Sequence, residues 1–181
     1  MLFLKGDKHA AIDLQGQAVK FAGEDLKRHL QRTLDDYKQG KVPNEAGISR
    51  LRGEINSSIK NKEWDKVEST LAELQKLLPP DADEDEAMFH NELAWRIAIQ
   101  EGSEERGLDL AERIIRRANA ATQGHNAEIL DTLARVLFLK KQKETAIELQ
   151  EKAVSLAKGR RKAQFQETLD SYKQGKLAKV Y

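Results

Sequence analysis

The sequence repeats itself over 40 residues at a constant offset of 135. Residues 2–41 align without a gap onto residues 137–176, and 22 of the 40 aligned positions are identical. Apolar members of the identical pairs recur every three or four residues, which is the period of an amphipathic helix. The pairs include Ala11/Ala146, Leu14/Leu149, Ala18/Ala153, Leu34/Leu169, Tyr37/Tyr172 and Gly40/Gly175. The repeat therefore predicts a fold assembled from helical units.

A shorter, two-helix repeat lies within the long one. In residues 127–158, two helical patterns flank a polar turn near Lys141–Lys143. Ala134 and Ala146 are small enough to let these two helices approach closely, and Ala153 does the same for the next helix. Further pairs are predicted over 48–81 and 91–120, a capping helix over 160–176, and two earlier helices over 8–22 and 25–39. No long stretch alternates apolar and polar residues, so strands are not predicted.

The spacing in residues 127–158 resembles the tetratricopeptide repeat, a helix–turn–helix unit of 34 residues. The match is relaxed, because Lys141 stands where the family usually has Gly and Lys158 where it usually has Pro. The resemblance implies an all-α, right-handed superhelix of antiparallel helical pairs.

This resemblance also implies two parts of the chain. Residues 1–43 are expected to be the tail of a preceding repeat unit. Residues 44–181 are expected to be a unit of three helical pairs with a C-terminal capping helix. Since Met1–Lys5 matches only the end of a helix, we expect the sequence to be a fragment of a longer protein with at least two copies of the 135-residue unit. The alternative is that the natural chain begins at this point.

The order of motifs is also similar to the helical tail that follows thioredoxin-like domains in some bacterial thiol–disulfide oxidoreductases. The similarity covers about residues 46–158, and its sharper parts are ELAW (92–95) and LDTLAR (130–135). The sequence has no Cys, so any redox activity that this resemblance implies lies outside these residues. The chain is therefore predicted to be a scaffold or interaction module. The alternative is an accessory helical domain of a redox enzyme.

The charge balance argues against nucleic acid as the partner. The chain has 31 Lys and Arg against 30 Asp and Glu, for a net charge of +1, whereas nucleic-acid-binding domains usually carry a clear basic excess. Two basic clusters have no interleaved aromatic residues and suit helix ends without any nucleic acid. They are Arg113, Arg116 and Arg117, and Lys158, Arg160, Arg161 and Lys162.

The sequence predicts no membrane insertion, since no apolar run approaches the roughly 20 residues that cross a bilayer. The first residues do not have the pattern of a signal peptide either. The compartment is not predicted, although the resemblance to oxidoreductase tails allows the cell envelope or periplasm.

One acidic segment has the spacing of a calcium loop. Asp81, Asp83 and Asp85 alternate, and Glu92 is the twelfth residue counted from Asp81, as in an EF-hand. However, Glu86 stands where the loop needs Gly, and an acidic linker before a helix explains the same residues. We therefore predict no metal site.

No catalytic or cofactor-binding motif is present. The four histidines are scattered and complete no zinc-ligand set: His9, His29, His90 and His125. We predict that the chain is not an enzyme and holds no cofactor.

The concave face of the helical stack is the predicted binding surface. In the tetratricopeptide family, the first helix of each pair lines this face. The corresponding residues here are Arg52, Asn56, Asn91, Trp95, Asp131, Arg135 and Phe138. Trp95 and Phe138 are expected to be apolar anchors, and Arg52 and Arg135 to hold carboxylates or stack on rings. The alternative is that Trp95 belongs to the core between pairs.

The expected ligand is a protein or peptide partner, or a neighbouring domain of the parent chain. The family's carboxylate clamp is not expected, because its Asn, Lys and Arg are replaced here by Glu92, Glu128 and Thr132. An apolar edge at Leu2, Leu4 and Ile12 also predicts self-association through the N-terminal helix.

Overall fold

The computed structural model of the chain describes residues 8–39, 45–77, 84–100 and 104–180. These residues form nine α-helices and no strand, so the predicted all-α class is confirmed over this part of the chain. The helices are α1 Lys8–Phe21, α2 Glu24–Lys38, α3 Glu45–Lys60, α4 Trp64–Leu77, α5 Glu84–Ile99, α6 Glu105–Ala121, α7 Ala127–Leu139, α8 Lys143–Leu156 and α9 Gly159–Lys173. No helix in these ranges is long and apolar enough to cross a bilayer.

The chain divides into two compact units, one ending at Ser49 and the other beginning at Arg50. The first unit contains α1 and α2, and the boundary falls within α3. In the first unit, the side-chain amide of Gln15 on α1 donates to the carbonyl of Leu30 on α2, with an N···O distance of 2.9 Å. This hydrogen bond fixes the two helices against each other beside a small buried core of Ala11, Val19 and Leu34.

The 135-residue repeat is visible in the helix boundaries. Helices α1 and α2 begin and end 135 residues before α8 and α9. Gln150 on α8 donates to the carbonyl of Phe165 on α9 at 3.2 Å, as Gln15 does to Leu30 in the first unit. The same two-helix element is therefore built twice, with the same interhelical hydrogen bond.

Helices of the second unit pack both within pairs and between pairs. Helix α5 packs against α6 and α7, α6 against α7, α7 against α8, and α8 against α9. We call α3, α5, α7 and α9 the first-helix row, and α4, α6 and α8 the second-helix row. Arg106 on α6 pairs with Asp65 on α4, and Arg113 pairs with Glu68 at 2.6 Å, which joins two members of the second-helix row.

Small residues lie where helices meet. Ala134 on α7 and Ala146 and Ala153 on α8 are fully buried, as the close approach of these helices requires. Leu130, Ala153 and Phe165 form one apolar cluster that joins α7, α8 and α9. The core of the second unit is thus continuous from one helical pair to the next.

The turn that follows the first helix has the same geometry in two of the helical pairs. Lys62 after α3 and Lys141 after α7 both have positive φ, at 57° and 63°. In each turn the next residue donates its backbone N–H to a carbonyl five residues earlier, Glu63 to Ser58 and Gln142 to Leu137. This is the Schellman motif, which usually carries Gly at the left-handed position.

Gly107 on α6 lets Trp64 of α4 pack against the helix backbone. A Cβ atom at residue 107 would lie 2.9 Å from Trp64 Cζ2 and 3.0 Å from Cε2. Because Trp64 is buried and cannot swing away, we expect Gly107→Ala to lower the free energy of unfolding by about 2 kcal/mol. Urea unfolding followed by circular dichroism measures this change.

Gly53 on α3 is the matched control. A Cβ atom at this position meets nothing within 4 Å. Gly53→Ala should therefore raise the free energy of unfolding by about 0.5–1 kcal/mol through its helix propensity. The same sign of change at both glycines would contradict the close packing of Trp64 on α6.

Candidate functional site

Arg135 on α7 lies at the centre of the predicted binding surface. It is 5% exposed, and its guanidinium carbon lies 5.1 Å from the ring centroid of Trp95 on α5, in a cation–π contact. One terminal nitrogen, Nη1, donates to the backbone carbonyl of Ala178 at 3.1 Å. The Nε atom is buried and has no hydrogen-bond partner among the described residues. Arg135 thus binds a ring and a main-chain carbonyl within the protein.

Asp131 lies one turn before Arg135 on the same helix. Its Oδ1 atom accepts a hydrogen bond of 2.7 Å from the side-chain amide of Gln150 on α8. Burial raises the pKa of Asp131 to about 6, although Gln150 and the positive charges of Arg135 and Arg161 oppose the rise. A carboxylate is therefore kept partly dehydrated beside the Arg135 side chain.

Phe138 and Tyr172 form the third part of the site. Their rings are stacked, with centroids 4.3 Å apart and planes 14° from parallel. Tyr172 on α9 is fully buried, and its hydroxyl has no hydrogen-bond partner in the described part of the chain. Burial raises the pKa of Tyr172 well above its ordinary value, the Asp131 carboxylate adds to this, and Arg135 opposes it. Burial therefore keeps the phenol neutral.

The structure brings four of the seven predicted site residues to one end of the first-helix row. We call Trp95, Asp131, Arg135, Phe138 and Tyr172 the Arg135 cluster. Within it, Trp95 and Phe138 are each half-buried and keep part of their rings on the surface.

The other three predicted residues have different surroundings. Arg52 lies over the ring of Phe89 on α5, 4.5 Å from its centroid. Asn56 accepts a hydrogen bond of 3.4 Å from Arg96, also on α5. Asn91 lies one turn before Trp95, and its buried Oδ1 atom has no partner among the described residues. Arg52 and Asn56 thus bind α5 rather than the Arg135 cluster.

Sequence reasoning missed three contributors to the site. The sequence pattern places Tyr172 only in a capping helix, and Gln150 and Ala178 are not among the predicted site residues. The repeat carried a signal for two of them, because Tyr172 and Gln150 are identical to Tyr37 and Gln15. Ala178 carried none, since it acts through its backbone carbonyl.

A second polar cluster is buried between α5 and α6. His90 Nδ1 lies 3.9 Å from a carboxylate oxygen of Glu86, and Arg117 on α6 lies 3.6 Å from the same oxygen. Burial lowers the pKa of His90 to about 4, and the Arg117 charge lowers it further than burial alone would. The imidazole is therefore neutral at pH 7, and its Nε2 atom has no partner in the described residues.

The remaining candidates contribute no cluster of ligands. Among the described residues, no three His, Asp or Glu side chains are placed to hold a metal ion. Asp81 and Asp83 of the candidate calcium loop lie outside the described residues, and Glu86 and Glu92 belong to α5.

Arginines from both basic clusters pair with carboxylates. Arg113 contacts Glu68 and Arg161 contacts Glu128, at 2.6 and 3.1 Å. Arg116 contacts Glu112 at 2.8 Å, in the same helix. Each of these three arginines therefore has a carboxylate partner within the chain.

Comparison with known proteins adds no assignment. No protein-family model, curated protein or solved structure matches the chain.

Proposed function

We propose that the chain is a non-catalytic interaction or scaffolding module of tetratricopeptide type. It binds its partner through the first-helix row. The partner is a protein or peptide, or a neighbouring domain of a longer parent chain. The observation that carries the proposal is the Arg135 cluster, in which an arginine lies against the half-exposed ring of Trp95 and already holds a main-chain carbonyl.

The packing of the second unit supports the assignment to helical-repeat architecture. Each pair buries its apolar face against its neighbours, which is how stacked repeats obtain their stability. We propose in addition that the helical pairs form a right-handed superhelix. The fully buried alanines of α7 and α8 suit the tetratricopeptide pattern from which they were predicted.

The chemistry of the Arg135 cluster suits a peptide better than a small charged ligand. Aromatic rings and arginine are the side chains that most often dominate protein interfaces. Arg135 Nη1 already donates to one main-chain carbonyl, that of Ala178, and every residue of a peptide supplies an acceptor of this kind. A peptide in this position also covers the exposed edges of Trp95 and Phe138.

Selection of peptides from a displayed random library against the purified chain tests this function. Selected peptides should bind saturably, and Trp95→Ala should weaken them at least about tenfold, because a central aromatic anchor is lost. Fluorescence anisotropy with synthetic copies of the selected peptides measures the affinities.

Arg113→Ala is the control variant, since this exposed arginine lies on the second-helix row and pairs with Glu68. It should leave peptide affinity unchanged. Peptides whose affinity is the same for wild type and Trp95→Ala would contradict binding at the proposed surface, as would a failure to select any peptide.

Self-association through α1 is a second candidate, and one observation favours it. Phe21 is 87% exposed and Leu14 is 54% exposed, although both are large and apolar. Leu149, the repeat counterpart of Leu14, instead packs against the buried cluster of the second unit. A helix from a second copy of the chain would cover Leu14 on α1, as the second unit covers Leu149. Of the edge predicted from sequence, Leu2 and Leu4 lie outside the described residues, and Ile12 is half-buried.

A further inference from the structure

The segment that follows α9 lies on the Arg135 cluster. Helix α9 ends in a Schellman turn at Gly175, which has φ of 74° and lets the chain leave the helix. Residues 176–180 are then non-helical, and the carbonyl of Ala178 accepts the hydrogen bond from Arg135. We call residues 176–180 the tail segment.

Burial within the tail segment is confined to one residue. Ala178 is 5% exposed, whereas Leu177 is 47% exposed and Val180 is 50% exposed. Lys176 and Lys179 are exposed as well. Lys176 still belongs to the Schellman turn through its N–H bond to the Ser171 carbonyl. Beyond that turn, the protein holds the segment through the Ala178 carbonyl and the small Ala178 side chain, and the larger side chains stay in solvent.

Such a contact can be exchanged for the same contact with another chain. A backbone carbonyl is present at every residue of any peptide, so Arg135 does not distinguish the tail segment from a partner by this bond. The buried position accepts a small side chain, which restricts the partner to Ala or Gly there. Little apolar surface of the tail segment is buried, so few contacts have to break when it leaves.

We propose that the tail segment is an intramolecular pseudo-ligand of the Arg135 cluster. A partner peptide binds there as a non-helical segment with Ala or Gly at the position of Ala178, and it has to displace residues 176–180 to do so. This inference rests on the proposed function, and it adds the class of peptide and the means by which the site is kept closed.

The test compares the full chain with a chain that ends at Gly175. The probe is a labelled, N-acetylated peptide of sequence KLAKVY, which corresponds to residues 176–181. The shortened chain should bind this peptide saturably. The full chain should bind it at least about tenfold more weakly, because its own segment is present at a local concentration in the millimolar range.

Variants of the peptide and protein define the contact. Ala178→Trp in the peptide should abolish binding to the shortened chain, and Leu177→Ala, at an exposed position, should leave it unchanged. In the shortened chain, Arg135→Ala should abolish binding, whereas Arg113→Ala should not change it.

If the shortened chain does not fold, as judged by circular dichroism, the full-length Ala178→Trp variant replaces it. Its tail segment no longer fits the buried position, so it should bind the KLAKVY peptide as the shortened chain was expected to do. Equal affinity of this peptide for the full chain and for the opened chain would overturn the proposal, and so would the absence of binding to the opened chain.

The experiments distinguish failure of the pseudo-ligand proposal from failure of the proposed interaction function. If library-selected peptides depend on Trp95 but bind the full and the opened chain equally, the interaction function stands and the pseudo-ligand is wrong. If no selected peptide depends on Trp95, both proposals fail together.

Discussion

At pH 8 the Asp131→Asn variant should have a free energy of unfolding about 3 kcal/mol larger than that of the wild-type chain. Burial raises the pKa of Asp131 to about 6 from an ordinary value of 3.8. The native state therefore holds a dehydrated negative charge at pH 8 that the unfolded chain holds in water. Asn removes the charge and keeps an oxygen that accepts the hydrogen bond from Gln150.

This gain should disappear in acid. Between pH 3.8 and about 6 the native state binds more protons at Asp131 than the unfolded state does, so the contribution of this group falls as the pH rises. Below pH 3.8 the carboxyl is neutral in both states and Asn offers no advantage. Urea unfolding of both proteins at pH 4, 6 and 8 should give a difference that grows from near zero to its full size.

Asp170 on α9 supplies the matched control. It also accepts a hydrogen bond from a glutamine amide, that of Gln166 at 2.9 Å, but it is exposed. Asp170→Asn should change the free energy of unfolding by less than about 0.5 kcal/mol at any of these pH values. An Asp131→Asn variant that is no more stable than wild type at pH 8 would contradict the cost of the buried charge.

A carboxylate that weakens the fold at neutral pH also bears on the proposed site. Natural proteins often keep destabilising residues where binding needs them, and replacing such residues usually stabilises the protein. Asp131 lies one turn from Arg135, within the cluster that holds the tail segment. Under the proposed function, this carboxylate lies beside the residues that contact the peptide.

The helices could be predicted from the sequence because the repeat states their boundaries twice. The alignment of residues 2–41 with 137–176 pairs α1 with α8 and α2 with α9, and the observed ends agree. Alanines at the closest contacts were predicted for the same reason, since helical periodicity places them on the facing sides. Both signals depend on local spacing, which a single sequence contains.

The burial of Arg135 could not be predicted in this way. Arginine is expected at the surface, yet Arg135 is buried beneath the ring of Trp95 and the carbonyl of Ala178. The tail segment has no helical or strand period that would place it on α7. Its position depends on a main-chain contact between residues 43 positions apart, and side-chain patterns carry no record of such a contact.

The buried histidine escaped prediction for a related reason. The sequence shows His90 only as one of four scattered histidines, but it is buried together with Glu86 against α6. Arg117, on that neighbouring helix, completes the cluster at 3.6 Å from Glu86. Arg117 reaches Glu86 only because α5 packs on α6, and helical periodicity does not specify how two helices pack.

Lowering the pH from 7 to 4 should remove about 3 kcal/mol of unfolding free energy through His90. Burial, and then the Arg117 charge, lower the pKa of this imidazole from 6.5 to about 4. The unfolded chain therefore takes up a proton near pH 6.5, while the native state resists it until about pH 4. The stabilising contribution is complete above pH 6.5, is lost as the pH falls toward 4, and changes no further below that.

Asp131 hides this loss in the wild-type chain, because its contribution runs in the opposite direction over nearly the same pH range. In the Asp131→Asn variant, the free energy of unfolding should therefore fall clearly as the pH is lowered from 7 to 4. We call this fall the acid slope. Adding His90→Gln should remove that slope, whatever the second substitution does to stability at pH 7. Adding His125→Gln instead, at an exposed histidine, should leave it in place. An acid slope that survives His90→Gln would mean that a different group titrates, since the two double variants share every other carboxylate and differ only in which imidazole is removed.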